Sequence, residues 1–471
     1  MSKSASRTLK TKAVFKRSSL SVFLIIFAVI GLILLIKTLA VPNPNLSGDL
    51  NNDNTVNITD LSILLSNYGT TNSAADINID GAVNVLDLSI LLSHYGQTYS
   101  GGSSGVTPPQ PPSTYTLPSG AINVSTTSQL QAAVNGSTKD IILANGDYTN
   151  STDLSIGSHR LWAQNLGGAM LHFGLQIGGN FASGDGEVHG IKFDVTDPNL
   201  TFQSSIINIW GQGQNAVIAD SWFYGHDSVN TAVLTRVTSG FQAHRLVVNG
   251  FTGYGVYFET YAGSYYTDVP TVEPIVSDID VSDINAIPKG SSNGTAEAGI
   301  WAGTDCICSN IKVRNTGWMG IWTGGNANNG VYSNFDVDTT YYGAYLEHFS
   351  RSNVFKNFVL GKDTAGAGVH TGFVCEWADP AYAGTNPVAG QSISACHFNT
   401  FQDGTIYSSG LGFSLEDAQT TTIKNIKFVG QSQAAIKDFM TAGSGQTTIW
   451  QNQGNDFSGL ASGAVQYTTD H

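Results

Sequence analysis

Basic residues are scarce in this 471-residue chain: Lys and Arg number 21 against 35 Asp and Glu, a formal net charge of −14 at pH 7. Seven of the 21 fall in the first 40 residues, which hold no acid, so the remainder sets 14 basic residues against all 35 acidic ones. Such a surface repels polyanions and excludes nucleic acid as a partner. Cysteine is scarcer still, and four are too few to scaffold a chain of this length. Cys306 and Cys308 stand two apart in a strand-like stretch, where pairing is difficult. Cys375 and Cys396 read as buried thiols, with no metal or catalytic role assigned. Long apolar runs are absent except at residues 21–36, SVFLIIFAVIGLILLI, which nearly span a bilayer as a helix with Leu39 and a snorkelling Lys37 beside them. The basic leader, residues 1–19, places the N-terminus in the cytoplasm. Residues 20–41 are therefore expected to be a transmembrane signal-anchor, with the bulk extracellular; Thr38-Leu39-Ala40 also suits cleavage, which would make the protein secreted.

What is abundant is glycine, 53 residues, in a chain that is 41% hydrophobic, the composition of an ordered, turn-rich, mostly β protein. Before that β region the segment Asp49 to Asp60 (DLNNDNTVNITD) recurs as Asp76 to Asp87 (DINIDGAVNVLD). Each copy sets oxygen-bearing side chains at loop positions 1, 3, 5, 9 and 12: Asp49, Asn51, Asp53, Asn57 and Asp60, then Asp76, Asn78, Asp80, Asn84 and Asp87. Position 7, Thr55 or Ala82, offers a backbone carbonyl, which completes the hard-oxygen set that Ca2+ prefers. Position 6 is Asn54 or Gly81, the residue types that accept the left-handed turn needed there. All six acidic residues between 41 and 98 fall on ligand positions, and no Lys or Arg occurs in that stretch.

After each loop an amphipathic stretch, Leu61 to Leu65 and Leu88 to Leu92, runs to Tyr68-Gly69 and Tyr95-Gly96, as a helix closed by glycine does. One helix per loop, with Asp at position 12, makes residues 46–98 resemble the dockerin family, small α domains of EF-hand type. That resemblance implies two calcium ions and calcium-dependent attachment to a cohesin-domain protein. It also makes positions 10 and 11, Ile58-Thr59 and Val85-Leu86, candidates for partner choice. Residues 99–117 form a Gly/Ser/Pro linker.

From residue 118 to 471 the chain opens with a short helix, Gln129 to Val134 capped by Ser128, ahead of the strand Ile141 to Leu143. Two strand patterns then alternate. The first is Gly-apolar-x-apolar-x, at Gly255, Gly299, Gly320, Gly343, Gly372 and Gly412; the second is polar-polar-apolar-x-apolar, at Ser277, Ser309, Ser333 and Lys424. One pair per coil is a β-solenoid. The opening resembles that of the pectin lyase-like superfamily, which includes chondroitinase B and alginate lyases and implies a right-handed parallel β-helix.

Strand alternation sends Val256, Ile300, Ile321, Phe373 and Phe413 inward and the third and fifth positions outward. The third position reads Tyr257, Trp301, Trp322 and Tyr345, an outward aromatic column. The fifth reads Glu259, Gly303, Gly324, Glu347, Glu376 and Glu416, a glycine-floored gap bounded by acids. Aromatic rings beside carboxylates suit sugar, so polysaccharide is the expected ligand. Neighbouring carboxylates of Glu347, Glu376 and Glu416 would serve a glycoside hydrolase, or would hold a further calcium ion in the groove for a polysaccharide lyase. A lyase also needs a base, and Arg314 leads Lys312, His348 and Arg351 as candidates. The paired-aspartate and histidine motifs of polygalacturonases and the arginine motif of pectate lyases are absent. Three classes stay open: a carbohydrate-active enzyme, a non-catalytic carbohydrate-binding or adhesive surface solenoid, and a structural surface protein with a calcium-rigidified spacer.

Overall fold

The computed structural model describes residues 50, 56–70, 75, 77, 82–93, 95, 115–178, 185–196, 205–210, 215–236, 240–259, 273–285, 297–324, 327–339, 341–347, 350–361, 369–376, 396–416, 418, 420–439 and 450–469. It divides into two compact units, Met1–Gly101 and Gly102–His471. The expected transmembrane segment 20–41 and residues 99–114 of the expected linker 99–117 lie outside the described residues. Among the described residues no helix is long and apolar enough to cross a membrane.

In the smaller unit the sequence repeat is a structural repeat. Helix α1 (Ile58–Ser66) starts at Asn57, whose side chain accepts from the Thr59 amide at 2.7 Å, while Asp60 reaches back to the Asn57 amide at 2.9 Å. Helix α2 (Val85–Ser93) repeats both bonds, Asn84 with Leu86 at 2.7 Å and Asp87 with the Asn84 amide at 2.8 Å. The copies are tied by Gly69 N–H to Val83 O and Val83 N–H to Thr70 O, each 2.8 Å. Leu50, Val56, Leu64, Ala75, Val83 and Leu91 form their shared, fully buried core.

The larger unit opens with strand Ile122–Val124 and helix α3 (Thr127–Val134), which buries Leu130 and Ala133 in the same core as Val124 and Ile141. Its cap is Thr126, whose hydroxyl accepts from Gln129 N–H at 3.2 Å, rather than the expected Ser128. Thr126 still has extended backbone, φ −138 and ψ 157, whereas Ser128 already lies within the first turn. Beyond α3 the chain is mostly β: a 27-stranded sheet in which every strand pair among the described residues is parallel, and a second, two-stranded sheet of Ser350–Arg351 with Cys396–His397. Parallel pairing of successive coils makes this a parallel β-helix.

The two sequence patterns are its two strand sets. Gly299 and Gly320 lie on Ala298–Ala302 and Met319–Thr323, which pair with Ile300 opposite Ile321. The polar-polar strands pair among themselves, Ile279 with Ile311, Ile311 with Phe335, and Phe335 with Phe358. Val256, Ile300, Ile321, Phe373 and Phe413 are fully buried, and Phe373 stacks on Phe413 at 5.1 Å.

The glycine of the first pattern is imposed by packing from two directions. A Cβ on Gly320 would lie 2.1 Å from Val337 Cγ1 and 2.6 Å from Gly343 O; one on Gly299 would lie 2.4 Å from Val313 and 2.9 Å from Gly320 O. Gly255, Gly343, Gly372 and Gly412 repeat this contact, against the next coil's carbonyl and against Val281, Leu360, Ile406 and Phe428. The second polar residue of the other pattern makes a bend. Asp278, Asn310, Asn334, Asn357, Asp403 and Asn425 have φ between 52° and 60°, the left-handed region that Asn and Asp tolerate best. Their side chains bond up the stack: Asn310 donates to Asp278 at 2.9 Å, Asn334 to Asn310 at 3.3 Å, Asn357 to Asn334 at 3.2 Å and Asn425 to Asp403 at 2.9 Å.

One cysteine expectation is corrected. Cys306 and Cys308 are disulfide-bonded, with Cα atoms 5.7 Å apart, inside the range a disulfide spans. The bond is accommodated because Cys306 precedes its strand, directly after Asp305 at φ 57, so the pair is not held at full strand extension. Cys375 and Cys396 are free and buried.

Two stability measurements test these constraints. Gly320→Ala is expected to lower the free energy of unfolding in denaturant by about 1–3 kcal/mol, because the neighbouring backbone must shift. Asn334→Ala loses both ladder bonds and strains φ, whereas Asn334→Gly loses only the bonds, so the alanine variant is expected to be the less stable by about 1 kcal/mol.

Candidate functional site

Carboxylates of the small unit come first. Asp60 and Asp87, the position-12 residues, have no solvent exposure. Asp60 Oδ1 accepts from the Leu50 amide at 2.8 Å and Asp87 Oδ1 from the Ile77 amide at 2.7 Å, so each ties the start of its loop to its helix. Two buried carboxylates in a segment without Lys or Arg call for a cation. Asn57 and Asn84 use their side-chain oxygens as helix caps, while Ala82 O accepts from Asn84 at 2.9 Å. The remaining expected ligands, Asp49, Asn51, Asp53, Thr55, Asp76, Asn78 and Asp80, lie outside the described residues. Around these loops Ile58, Leu65, Tyr68, Val85, Leu86, Leu92 and Tyr95 are exposed, so positions 10 and 11 of the second copy both present apolar side chains to solvent.

On the large unit, the first-pattern strands stack their outward positions in register: Tyr257 opposite Trp301, Trp301 opposite Trp322, Trp322 opposite Tyr345. Tyr257 stacks on Trp301 at 4.3 Å and 9°, and Trp322 meets Trp301 and Tyr345 edge-on at 6.3 and 6.0 Å. The column is less open than strand alternation alone implies, since Trp301 is only 9% exposed. Gly324 does not floor an empty gap: a Cβ there would lie 2.1 Å from Trp301 Cζ2, so the indole fills that space.

A second column escaped the sequence analysis. Two residues before Gly299, Gly320, Gly343 and Gly372 stand Glu297, Trp318, Tyr341 and His370, neighbours through Met319 N–H to Glu297 O, Tyr342 N–H to Trp318 O and Thr371 N–H to Tyr341 O. The columns join through rings, Trp318 with Trp322 at 6.5 Å and Tyr341 by way of Tyr342, 4.5 Å from it and 5.7 Å from Tyr345, while within the second column His370 stacks on Tyr341 at 4.6 Å. Tyr254 bridges to Tyr257 at 5.0 Å and Trp322 at 6.4 Å. The signal was in the sequence, but only in residues ahead of the glycine, which a motif starting at the glycine leaves out.

Glu347, Glu376 and Glu416 follow the strands Tyr342–Leu346 and Val369–Cys375 or end the strand Thr400–Glu416, where Leu346 pairs with Cys375 and Cys375 with Leu415. The three therefore occupy one row on successive coils, roughly 4.8 Å per step. The Tyr345 phenol donates to Glu376, and burial together with Glu376, Glu347 and Glu416 pushes that phenol's pKa far up. Burial also raises Tyr254, to about 12, with Glu297 and Glu347 adding to the effect. Burial lowers the His370 imidazole. The phenols thus stay protonated, and that of Tyr345 is the donor to Glu376.

Arg314 is not brought to this row. It lies on Ile307–Thr316, in the other strand set, paired with Asp280 at 2.5 Å. The Glu259 side chain and His348 lie outside the described residues. Indole N–H groups of Trp318 and Trp322 are buried and find no acceptor among the described residues.

Residues 47–94 match the dockerin type I family. That segment is a dockerin type I domain. Dockerin type I domains bind calcium, in agreement with the buried Asp60 and Asp87 of this one. Among solved structures the chain is similar to the catalytic unit of a thermostable GH87 alpha-1,3-glucanase from Streptomyces thermodiastaticus strain HF3-3, at 12% identity and TM-score 0.47, over 74% of this chain and 70% of that one. It is also similar to an alginate lyase from Paenibacillus sp. str. FPU-7, at 12% identity and TM-score 0.34, over 74% of this chain and 99% of that one. A GH87 alpha-1,3-glucanase catalytic domain in complex with nigerose gives 12% identity and TM-score 0.46, over 77% and 69%. No curated relative matches the sequence. At these scores the structural likenesses carry no argument about activity.

Calcium titration of the full chain tests the dockerin carboxylates. At a hundredfold excess over Kd, calcium is expected to stabilise the module by about 2.7 kcal/mol. Asp60→Asn, which removes the charge and one of the two amide acceptors, is expected to lose heat of calcium binding at that loop while the second loop continues to bind.

Proposed function

We propose that this protein is an extracytoplasmic glycoside hydrolase that acts on polysaccharide and is attached through its dockerin domain to a cohesin-bearing partner. The observation that carries the proposal is the row Glu347, Glu376 and Glu416 beside a double aromatic column, with Tyr345 bonded to the central carboxylate. Tyr257, Trp301, Trp322 and Tyr345 would contact the sugar, and the fifth-position acids, Glu259 included, would take its hydroxyls.

Hydrolysis needs one carboxyl group to protonate the leaving oxygen and a second to attack the anomeric carbon or to activate water. A coil spacing of roughly 4.8 Å would set neighbouring carboxylates of the row near the roughly 5 Å separation of a retaining pair, so net retention of anomeric configuration is the expected outcome. Tyr345 holds Glu376 in place, which makes Glu376 the nucleophile. Glu347 or Glu416, one coil to either side, supplies the acid. The hydrolase reading is preferred to the lyase reading because Arg314 is committed to Asp280 on the other strand set.

The dockerin reading extends to two calcium ions, one held by Asp49, Asn51, Asp53, Thr55, Asn57 and Asp60 and one by Asp76, Asn78, Asp80, Ala82, Asn84 and Asp87. Calcium would neutralise each buried carboxylate and lock the loop to its helix. Residues 20–41 would hold the chain in the cell membrane, or release it to the exterior if cleaved. A non-catalytic, adhesive reading retains one support: the in-register aromatic column Tyr257, Trp301, Trp322 and Tyr345 suits a binding surface as well as a catalytic cleft.

The test is release of reducing ends from a polysaccharide panel by the full chain, with unsaturated products followed at the same time. Glu376→Gln is expected to lower kcat by roughly 10²–10⁴-fold with the fold retained. Unsaturated products would replace the hydrolase by a lyase, and binding without turnover would favour the adhesive reading.

A further inference from the structure

Cys375 and Cys396 stand on one coil at places that the coil before it defines. Leu346 pairs with Cys375, and Ser350 pairs with Cys396. On the earlier coil the chain itself joins those places, only four residues apart, with Ser350 N–H bonded to Glu347 O at 3.2 Å. One coil further back Thr323, opposite Leu346, brings its hydroxyl to 3.2 Å from that of Ser350. Thr323, Leu346 and Cys375 in one column therefore run beside Ser350 and Cys396 in the other. On the coil of the cysteines twenty residues, 376–395, replace the short connection, so no short stretch of chain ties that corner together.

Both cysteines are fully buried in the same apolar core, and the Cys396 thiol is hydrogen-bonded to Cys375. Each is fixed from its own side. Cys375 lies between Leu346 and Leu415 on the neighbouring coils. The chain after Cys396 is held by Asn399, which donates to Ser350 O at 3.0 Å and accepts from Asn353 N–H at 2.9 Å. A buried thiol by itself is a small hydrophobe. Two in contact, in a chain that already carries the Cys306–Cys308 bond, are a dithiol poised for an oxidising compartment.

We infer that Cys375 and Cys396 are oxidised to a second disulfide, which takes over the role of the short connection and clasps the corner of the coil beside Glu376. Two S–H bonds break and one S–S bond forms. The two protons and two electrons pass by thiol–disulfide exchange to a disulfide carrier, an oxidoreductase or oxidised glutathione, whose own S–S bond is reduced to two thiols. Burial, with Cys375 beside it, holds the Cys396 thiol well above its ordinary range, so the thiolate that exchange requires is scarce once the coil has formed. The bond accordingly forms while the chain folds rather than afterwards. A cross-link spanning twenty residues also constrains the unfolded chain far more than the one between Cys306 and Cys308, which encloses a single residue. Such a bond is independent of what the groove binds.

The experiment is disulfide mapping of the full chain, refolded in mild detergent with reduced and oxidised glutathione. The monomeric fraction is alkylated in denaturant and digested, unreduced, by chymotrypsin, which cuts after residues such as Trp377 and Tyr382 between the two cysteines. The expected product is a pair of peptides, one holding Cys375 and the other Cys396, that separates only on reduction. Recovery of both cysteines as alkylated thiols overturns the inference, and so does a bond from either one to Cys306 or Cys308. A second measurement reads the clasp itself. The Cys306→Ala/Cys308→Ala variant is expected to melt several degrees lower when refolded in reductant than when refolded with oxidised glutathione. Equal melting temperatures in the two samples would show that the bond, though formed, does not hold the coil, and would remove the clasp.

Discussion

Close approach of the two strand sets at a column of glycines is the constraint on which the large unit depends. At Gly255, Gly299, Gly320, Gly343, Gly372 and Gly412 the side chain of the facing strand occupies the volume a Cβ would take, and the next coil's carbonyl closes the same space from above. Each coil is thereby keyed to its own opposite strand and to its neighbour in one contact. Packing of this density tolerates no extra methyl group without movement. On the polar-polar strands a ladder of Asn and Asp side chains fixes the bend at each coil with amide-to-oxygen bonds. One device is steric and the other polar, and together they hold the register from coil to coil.

Fixed register turns a linear pattern into a surface. Because residues at equal distance from the glycine stack, a residue type repeated at one motif position becomes a column: aromatic at the third position, acidic at the fifth, mixed aromatic and acidic two places ahead. Rings in such columns shield one another, which is why Trp301 is nearly buried on an outward-facing strand. Burial in turn keeps the phenols of Tyr254, Tyr342 and Tyr345 protonated beside carboxylates, so the face holds its donors and acceptors at set positions before any ligand arrives.

Periodicity made most of this legible without coordinates. Alternation along Gly-apolar-x-apolar-x placed Ile300, Ile321 and Phe413 inside, and the duplicated loops of the dockerin domain showed in spacing and charge alone. Three features did not show. Glu297, Trp318, Tyr341 and His370 precede the glycine, and their identities differ so much that no pattern marks them. The cap of α3 depended on whether Thr126 or Ser128 left the helical region first, which residue type does not decide. The bond between Cys306 and Cys308 depended on where the strand begins, since two cysteines two apart are out of reach at full extension but not beside the turn at Asp305.

The same geometry explains how a long interruption leaves the acid row undisturbed. Nineteen residues, 377–395, separate Glu376 from Cys396, yet Cys375 pairs with Leu415 just as Leu346 pairs with Cys375. Glu376 stands before that segment and Glu416 ends the coil that follows it, and the coils on either side pair in register. Loop closure costs only slowly more with length, whereas a shifted register would turn every inward side chain of the coil to solvent. Length can therefore vary at such sites while the spacing of Glu347, Glu376 and Glu416 stays tied to the strand repeat.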